Sequence, residues 1–271
     1  MKTQLLPLAI GLLSITAVIT SCKKDDEDVA APIVPTCFVS SYKNLDSKDS
    51  TVQTFDNQNR LVKSITYDET GKLLDEYDIY TYGENKMTYT IYSDPSTISY
   101  QTEYILNPNG SIYYKAEKDV DEDHGVTEYD TAFYTYDALG YNTMVVYKKE
   151  YKGAQNHVYY DTTWYTYTDG NMTSSTHKTN SGETRTDIST YTDLVDKANV
   201  INGSFLTFPN LYGKPNKNLI LLETNEEGTY TTKYTYEMNA EGYMIRSRME
   251  YVNTKYPSEY TNDLRFYYTC K

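Results

Sequence analysis

The stretch DVDEDHGVTEYD, Asp119 to Asp130, comes nearest to a metal site in this 271-residue chain. Asp119, Asp121 and Asp123 alternate as carboxylate ligands do in a calcium-binding loop, and Asp130 takes the twelfth place. Such a loop wants Gly sixth and Glu twelfth, and here His124 and Asp130 stand there, so an acidic hairpin tip is the plainer reading. The three histidines, His124, His157 and His177, have no zinc-motif spacing. No GxSxG is present to hold a serine nucleophile. Carboxylates are plentiful, which leaves a two-carboxylate glycosidase as the enzymatic alternative, but abundance is not placement. We therefore expect a protein that is not an enzyme and needs no cofactor. Trp164, with Tyr160, Tyr165 and Tyr167, offers ring faces on which sugars could stack; the same rings could serve simply as packing.

The elements that must position these groups are strands. The 32 tyrosines outnumber any ordinary allotment, whereas Leu, Ile, Val and Phe together make up only 52 residues. With a net charge of −13 that aliphatic poverty would suggest disorder, but tyrosine supplies a large apolar body with a wet tip and suits half-buried strands. The same charge repels phosphate and excludes nucleic acid as a partner. Tyr230, Thr232, Tyr234 and Tyr236 share one strand face, and past a turn Tyr243, Ile245, Ser247, Met249 and Tyr251 are expected on that face, with Met244, Arg246, Arg248 and Glu250 on the other.

A turn frame repeats: an apolar or aromatic residue, Asp or Asn, two spacers, then Gly or Asn. It occurs at Phe55 to Asn59, Tyr67 to Gly71, Leu106 to Gly110 and Tyr136 to Gly140, while the copy starting at Tyr236 carries two extra residues before Gly242 and is expected to form a longer loop. About fourteen to sixteen strand-like runs follow one another with no helical stripe between them. We expect an all-β antiparallel meander that closes, or curves strongly, into a barrel, since closure removes exposed edges. A membrane-spanning barrel needs an outward apolar band, and the outward positions carry Lys, Arg, Glu and Thr. Residues 191–223 break the rhythm with Asn, Pro and Gly. They are expected to be a plug or cap on the barrel mouth, with at most a short helical turn near Phe205 to Leu211.

At the N-terminus, Lys2 precedes an apolar run from Leu5 to Ile19 that is too short to span a bilayer, and then Thr20, Ser21 and Cys22, the order of a secretory signal. The Ile19-Thr20-Ser21-Cys22 stretch resembles the lipobox of bacterial lipoproteins, which implies cleavage after residue 21 and acylation of Cys22; an ordinary signal peptide with a cysteine nearby is the alternative. Residues 22–36 then read as a charged, Ala/Pro-rich tether, and 37–271 as the β domain. The basic pair and acidic run after Cys22 resemble the signal that sends Bacteroidetes lipoproteins to the outer face of the outer membrane. That resemblance implies a lipid-anchored surface protein.

The frames FDNQNRL, YDETGKLL and YDALGYN resemble the YD-type units of uncharacterised Bacteroidetes lipoproteins. LVDKANV with LYGKPNKNL is similar to the distal signature of a domain of unknown function described as porin-like, across about Cys37 to Lys271. That family has no established reaction, so it lends no catalytic residues. The Asp-Thr-Ala and Asp-Thr-Thr triplets at Thr131 and Thr162 resemble O-glycosylation sites of Bacteroidetes surface proteins. Outside the cytoplasm Cys37 and Cys270 are free to pair, which would seam a closed sheet if the first and last strands are neighbours; two unpaired buried thiols are the alternative. Two functions fit: a surface module binding glycan or protein, or a structural component of the envelope with a protein partner and no small ligand.

Overall fold

The computed structural model describes residues 37–121, 126–152, 156–198 and 211–270, and among them there are strands and turns but no helix. The first half holds β1 (Cys37–Asn44), β2 (Ser50–Phe55), β3 (Leu61–Tyr67), β4 (Leu73–Tyr82), β5 (Lys86–Asp94), β6 (Thr97–Leu106), β7 (Ile112–Asp121) and β8 (Val126–Tyr136). The second holds β9 (Asn142–Lys152), β10 (His157–Thr168), β11 (Asn171–Lys178), β12 (Thr184–Tyr191), β13 (Ile220–Asn225), β14 (Tyr230–Met238), β15 (Met244–Asn253) and β16 (Ser258–Cys270). Each strand pairs antiparallel with its neighbours in sequence, and β1 pairs with β16, so the sheet is a closed sixteen-strand barrel. Cys37 and Cys270 face each other across that last seam and are joined by a disulfide.

The repeated turn frame has a physical account. In the Asp56 hairpin the backbone N–H of Asn59 donates to the Asp56 carbonyl at 3.0 Å and that of Asp56 to the Arg60 carbonyl at 2.9 Å. The Asp56 carboxylate also accepts from the N–H groups of Gln58 and Arg60, both at 2.9 Å. Asp68, Asp137 and Asn239 accept from the residues two and four ahead in the same way. The fifth residue of the frame sits at positive φ, 61° at Asn59 and 88° at Gly140, which is why Gly or Asn holds that place. Asn239 shows that the copy near Gly242 is no longer loop. The frame begins two residues later than expected, because β14 runs on to Met238.

A second device recurs just past these turns. The register slips by one residue at Val62, Tyr113, Thr143, Thr173, Leu221 and Ile245, each a bulge opposite a single partner residue. Slippage takes the carbonyl at the start of the strand out of the regular ladder. In five of the six cases a tyrosine hydroxyl from the following strand donates to it: Tyr82 to Leu61 at 2.7 Å, Tyr136 to Ile112 at 2.8 Å, Tyr191 to Met172 at 2.6 Å, Tyr236 to Ile220 at 2.7 Å, and Tyr268 to Met244; the slip at Thr143 is the exception. The bulge also corrects one expectation. Met244, placed by simple alternation on the outward face, is wholly buried against Val39, Leu219 and Phe266, because the extra residue Ile245 reverses the parity on its N-terminal side.

Leu211 shows which face is inside. It packs with Met87, Ala132, Tyr134 and Val145, and Tyr80 of β4 and Tyr165 of β10 join the same cluster. The cluster follows one face of the sheet from β4 to β10, and Leu211, from the segment between β12 and β13, packs against that face, which is therefore the inner one. The segment between β12 and β13 closes one end. Lys197 donates its N–H to Gly242 of the β14–β15 turn at 3.1 Å, whereas Leu211 accepts from Ile112, past the β6–β7 turn half-way round the ring, at 2.7 Å. Lys214 and Lys217 bond Gly140 and Gly170, Asn216 and Asn218 bond Met172 and Asn171, and Asp196 accepts from the Met244 N–H. The cap residues are thus those of LVDKANV and LYGKPNKNL. Gly213 lies at φ 96°, where a Cβ would come within 2.7 Å of the Tyr136 ring. The expected irregular span is shorter than 191–223, since β12 includes Tyr191 and β13 starts at Ile220; the helical turn expected from Phe205 falls mostly outside the described residues.

Tyr136→Phe keeps the ring and leaves the Ile112 carbonyl without its donor, so it should cost about 1–2 kcal/mol in urea unfolding, while Tyr160→Phe, on an exposed hydroxyl, should change nothing measurable. Replacing Cys37 and Cys270 together by Ser should lower unfolding free energy by about 2–5 kcal/mol, read from the same melts with the wild type kept oxidised.

Candidate binding site at the uncapped mouth

At the end opposite the cap the described hairpins are short, none longer than five residues, for example those between β1 and β2 and between β15 and β16. A sixteen-strand ring is wide enough to leave an aqueous lumen. Water reaches the inner wall: Tyr147, whose cross-strand partner Ala132 is buried in the core, is itself 40% exposed, and Tyr159 and Tyr260 nearer the mouth are 46% and 53% exposed.

One inner row can be followed from strand to strand by direct pairing. It runs Tyr80, Tyr89, Thr102, Glu117, Asp130, Lys149 and Tyr159, from β4 to β10. Like charges at Glu117 and Asp130 would repel if unscreened. Lys115 and the Tyr100 hydroxyl bind Glu117, and Lys149 binds Glu128 and, at 3.3 Å, Asp130. The Asp130 Oδ1 atom is buried with no partner. Burial pushes the Asp130 carboxyl up to about 6, with Glu128 and Glu117 adding repulsion against the pull of Lys149. Glu117 goes the other way: burial alone would raise it, but hydrogen bonds from Lys115 and Tyr100 hold it below its ordinary range. Burial, then the Glu117 bond, pushes the Tyr100 phenol to about 12, so it stays a neutral donor.

The far wall carries a second aromatic group. Tyr251 lies 6.1 Å from Tyr230 and 4.9 Å from Tyr260, centroid to centroid, and the Arg185 guanidinium sits 4.6 Å over the Tyr230 ring while bonding Asp187. On the near wall Tyr159 contacts Tyr151 edge-on at 5.9 Å and His157 at 6.3 Å. The mouth is therefore lined by tyrosine rings on both sides, with charged groups below them.

The residues singled out from sequence are placed as follows. Trp164 and Tyr160 point outward, paired with Met144 and Lys148, and Tyr165 and Tyr167 point into the lumen. The four do not form one platform, because adjacent residues of an extended strand face opposite ways. Asp119 and Asp121 lie in β7 and Asp130 in β8, on the two strands of one hairpin; Asp123, His124 and the side chains of Asp119 and Asp121 fall outside the described residues. Among the described residues no three His, Cys, Asp or Glu side chains converge for a metal. His177 bonds Thr163 through Nδ1 at 3.1 Å. Thr131 and Thr162 stand mid-strand on the outer face, Thr131 donating to the Lys148 carbonyl. Cys22 and the tether lie outside the described residues. The sequence reading missed Tyr147, Tyr159 and Asp161, although counting parity along HVYYDTTWYTYT separates Tyr159, Asp161 and Tyr165 from Tyr160 and Trp164.

No family model and no curated protein matches the chain. Among solved structures, it is similar to a porin-like protein from Bacteroides uniformis ATCC 8492 at 15% identity and a TM-score of 0.58, covering 86% of this chain and 98% of that one. It is similar also to a porin-like protein from Bacteroides vulgatus ATCC 8482 at 10% identity and a TM-score of 0.51, covering 85% and 98%. At these identities the likeness shows the fold, a porin-like barrel.

Asp130 ties this wall to pH. Its folded value lies above the ordinary 3.8, so the folded protein holds a proton that the unfolded chain releases, and stability is lost as pH rises through about 6. Asp130→Asn removes that loss: thermal melts should show the variant gaining on wild type at pH 7.5, with the gain shrinking by pH 5.

Proposed function

We propose that this chain is a binding vessel of the bacterial envelope, moored by a lipid on Cys22, whose ligand enters the lumen through the uncapped mouth. The observation that carries the reading is the asymmetry of the two ends: one is crossed by a hydrogen-bonded segment, while at the other no segment crosses among the described residues and the inner wall presents water-exposed tyrosines. A through-channel would need both ends free. The outer face also argues against a lipid-embedded barrel. Arg246 binds Asp263 at 2.8 and 2.6 Å and Glu237 at 2.8 Å on that face, and Lys or Arg there would cost about 2–4 kcal/mol each at a bilayer midplane. The likeness to Bacteroides porin-like barrels and the lipobox-like leader support an envelope address, the cell surface in particular. The chain enters the barrel at Cys37, on the capped side. The reading gives the lumen a binding role rather than a catalytic one.

A second reading, an envelope component with a protein partner, draws on the outer aromatic group of Phe133, Tyr160 and Trp164, exposed by 43%, 48% and 42%. One screen separates the two. A ligand found on glycan and peptide arrays should lose at least tenfold in affinity with Tyr159→Ala/Tyr260→Ala and be indifferent to Tyr160→Ala/Trp164→Ala. The reverse pattern would move the site to the outer face and favour the second reading.

A further inference from the structure

We propose that Tyr147, Tyr159 and Asp161 form a subsite on the lumen wall for a cationic group, a primary or quaternary ammonium, of the entering ligand. The proposal rests on the lumen-binding reading and names the chemistry of its ligand. Asp161 pairs directly with Tyr147 across β9 and β10 and stands two residues from Tyr159, so all three share the inner face. The two rings are exposed by 40% and 46%, although the Tyr147 hydroxyl bonds Tyr134 and the Tyr159 ring meets those of Tyr151 and His157.

Among the described residues Asp161 makes no hydrogen bond and no ion pair, unlike Asp187 and Glu223 on the far wall, which are bound by Arg185 and Tyr234. Its basic neighbours in the two flanking ladders are Lys149, opposite Tyr159 and already held by Glu128 and Asp130, and His177, opposite Thr163 and bonded to it through Nδ1. Among the described side chains that β7 to β10 turn to the lumen, Glu117, Glu128, Asp130 and Asp161 stand against Lys115 and Lys149, two positive and four negative, a net of −2. A concave wall with that balance focuses a field that draws cations and turns anions away. Tyrosine faces bind a desolvated cation through the ring quadrupole, and an unpaired carboxylate beside them completes the charge match. A neutral polyol could use the rings but would leave the carboxylate uncompensated.

The test is calorimetric titration of the full chain with choline and with 3,3-dimethyl-1-butanol, its uncharged isostere. Choline should bind at least tenfold more tightly than the isostere. Asp161→Asn and Tyr159→Leu should each weaken choline about tenfold with melting temperature unchanged, and Trp164→Leu should have no effect. Equal affinity for the two probes, full choline binding by Asp161→Asn, or no choline binding at all overturns the cationic subsite. In those cases a ligand from the arrays that still depends on Tyr159 and Tyr260 leaves the lumen reading standing, and one that ignores them removes both.

Discussion

The barrel depends on what happens where its ladders slip. Six strands carry an extra residue just past a tight turn at the edge of the capped end, and in five of them the carbonyl displaced by the slip is met by a tyrosine hydroxyl. A buried acceptor left without a donor costs about 1–3 kcal/mol, and five such losses would exceed the margin of many domains. Tyrosine resolves this because its ring fills the space between strands while its hydroxyl reaches the stranded oxygen, as Tyr136 does at Ile112 and Tyr236 at Ile220. Phenylalanine would fill the space and leave the oxygen bare; serine would reach nothing. The abundance of tyrosine is therefore tied to the bulges as much as to burial.

The same residues organise the interior. Tyrosines near the cap are dried and pinned by Leu211 and Tyr212, so their phenols stay neutral, and their rings stack, as Tyr80 does on Tyr89 at 5.0 Å. Toward the mouth the packing loosens, charged pairs appear between the rings, and Tyr147, Tyr159 and Tyr260 meet water. One residue type thus serves as core at one end and as a water-facing wall at the other, depending on what the chain lays over it.

Much of this was legible in sequence because its signals are local. The Asp-x-x-Gly frame states its turn through a side-chain acceptor and a positive φ, and alternation along Tyr230 to Tyr236 states the buried face; both describe the structure correctly, as does closure into a barrel with a cap. The errors come where locality ends. A single inserted residue at Ile245 inverted the expected place of Met244, and Asn239 went unrecognised as a frame start because the preceding Tyr236 looked like the end of the strand. The grouping of Trp164 with Tyr165 was decided by proximity in the chain, where face mattered more. The lumen wall itself is assembled by pairing register across six hairpins, and register is not written in any one of them.

Because β1 and β16 are ladder neighbours like any other pair, the barrel is a ring whose opening into a linear chain is a matter of where translation begins. A circular permutant joined through Cys37 and Cys270 and reopened at a short mouth hairpin would retain every strand pairing but one turn, and the point at which the body is attached to its surroundings could be moved around the rim without redesigning the wall.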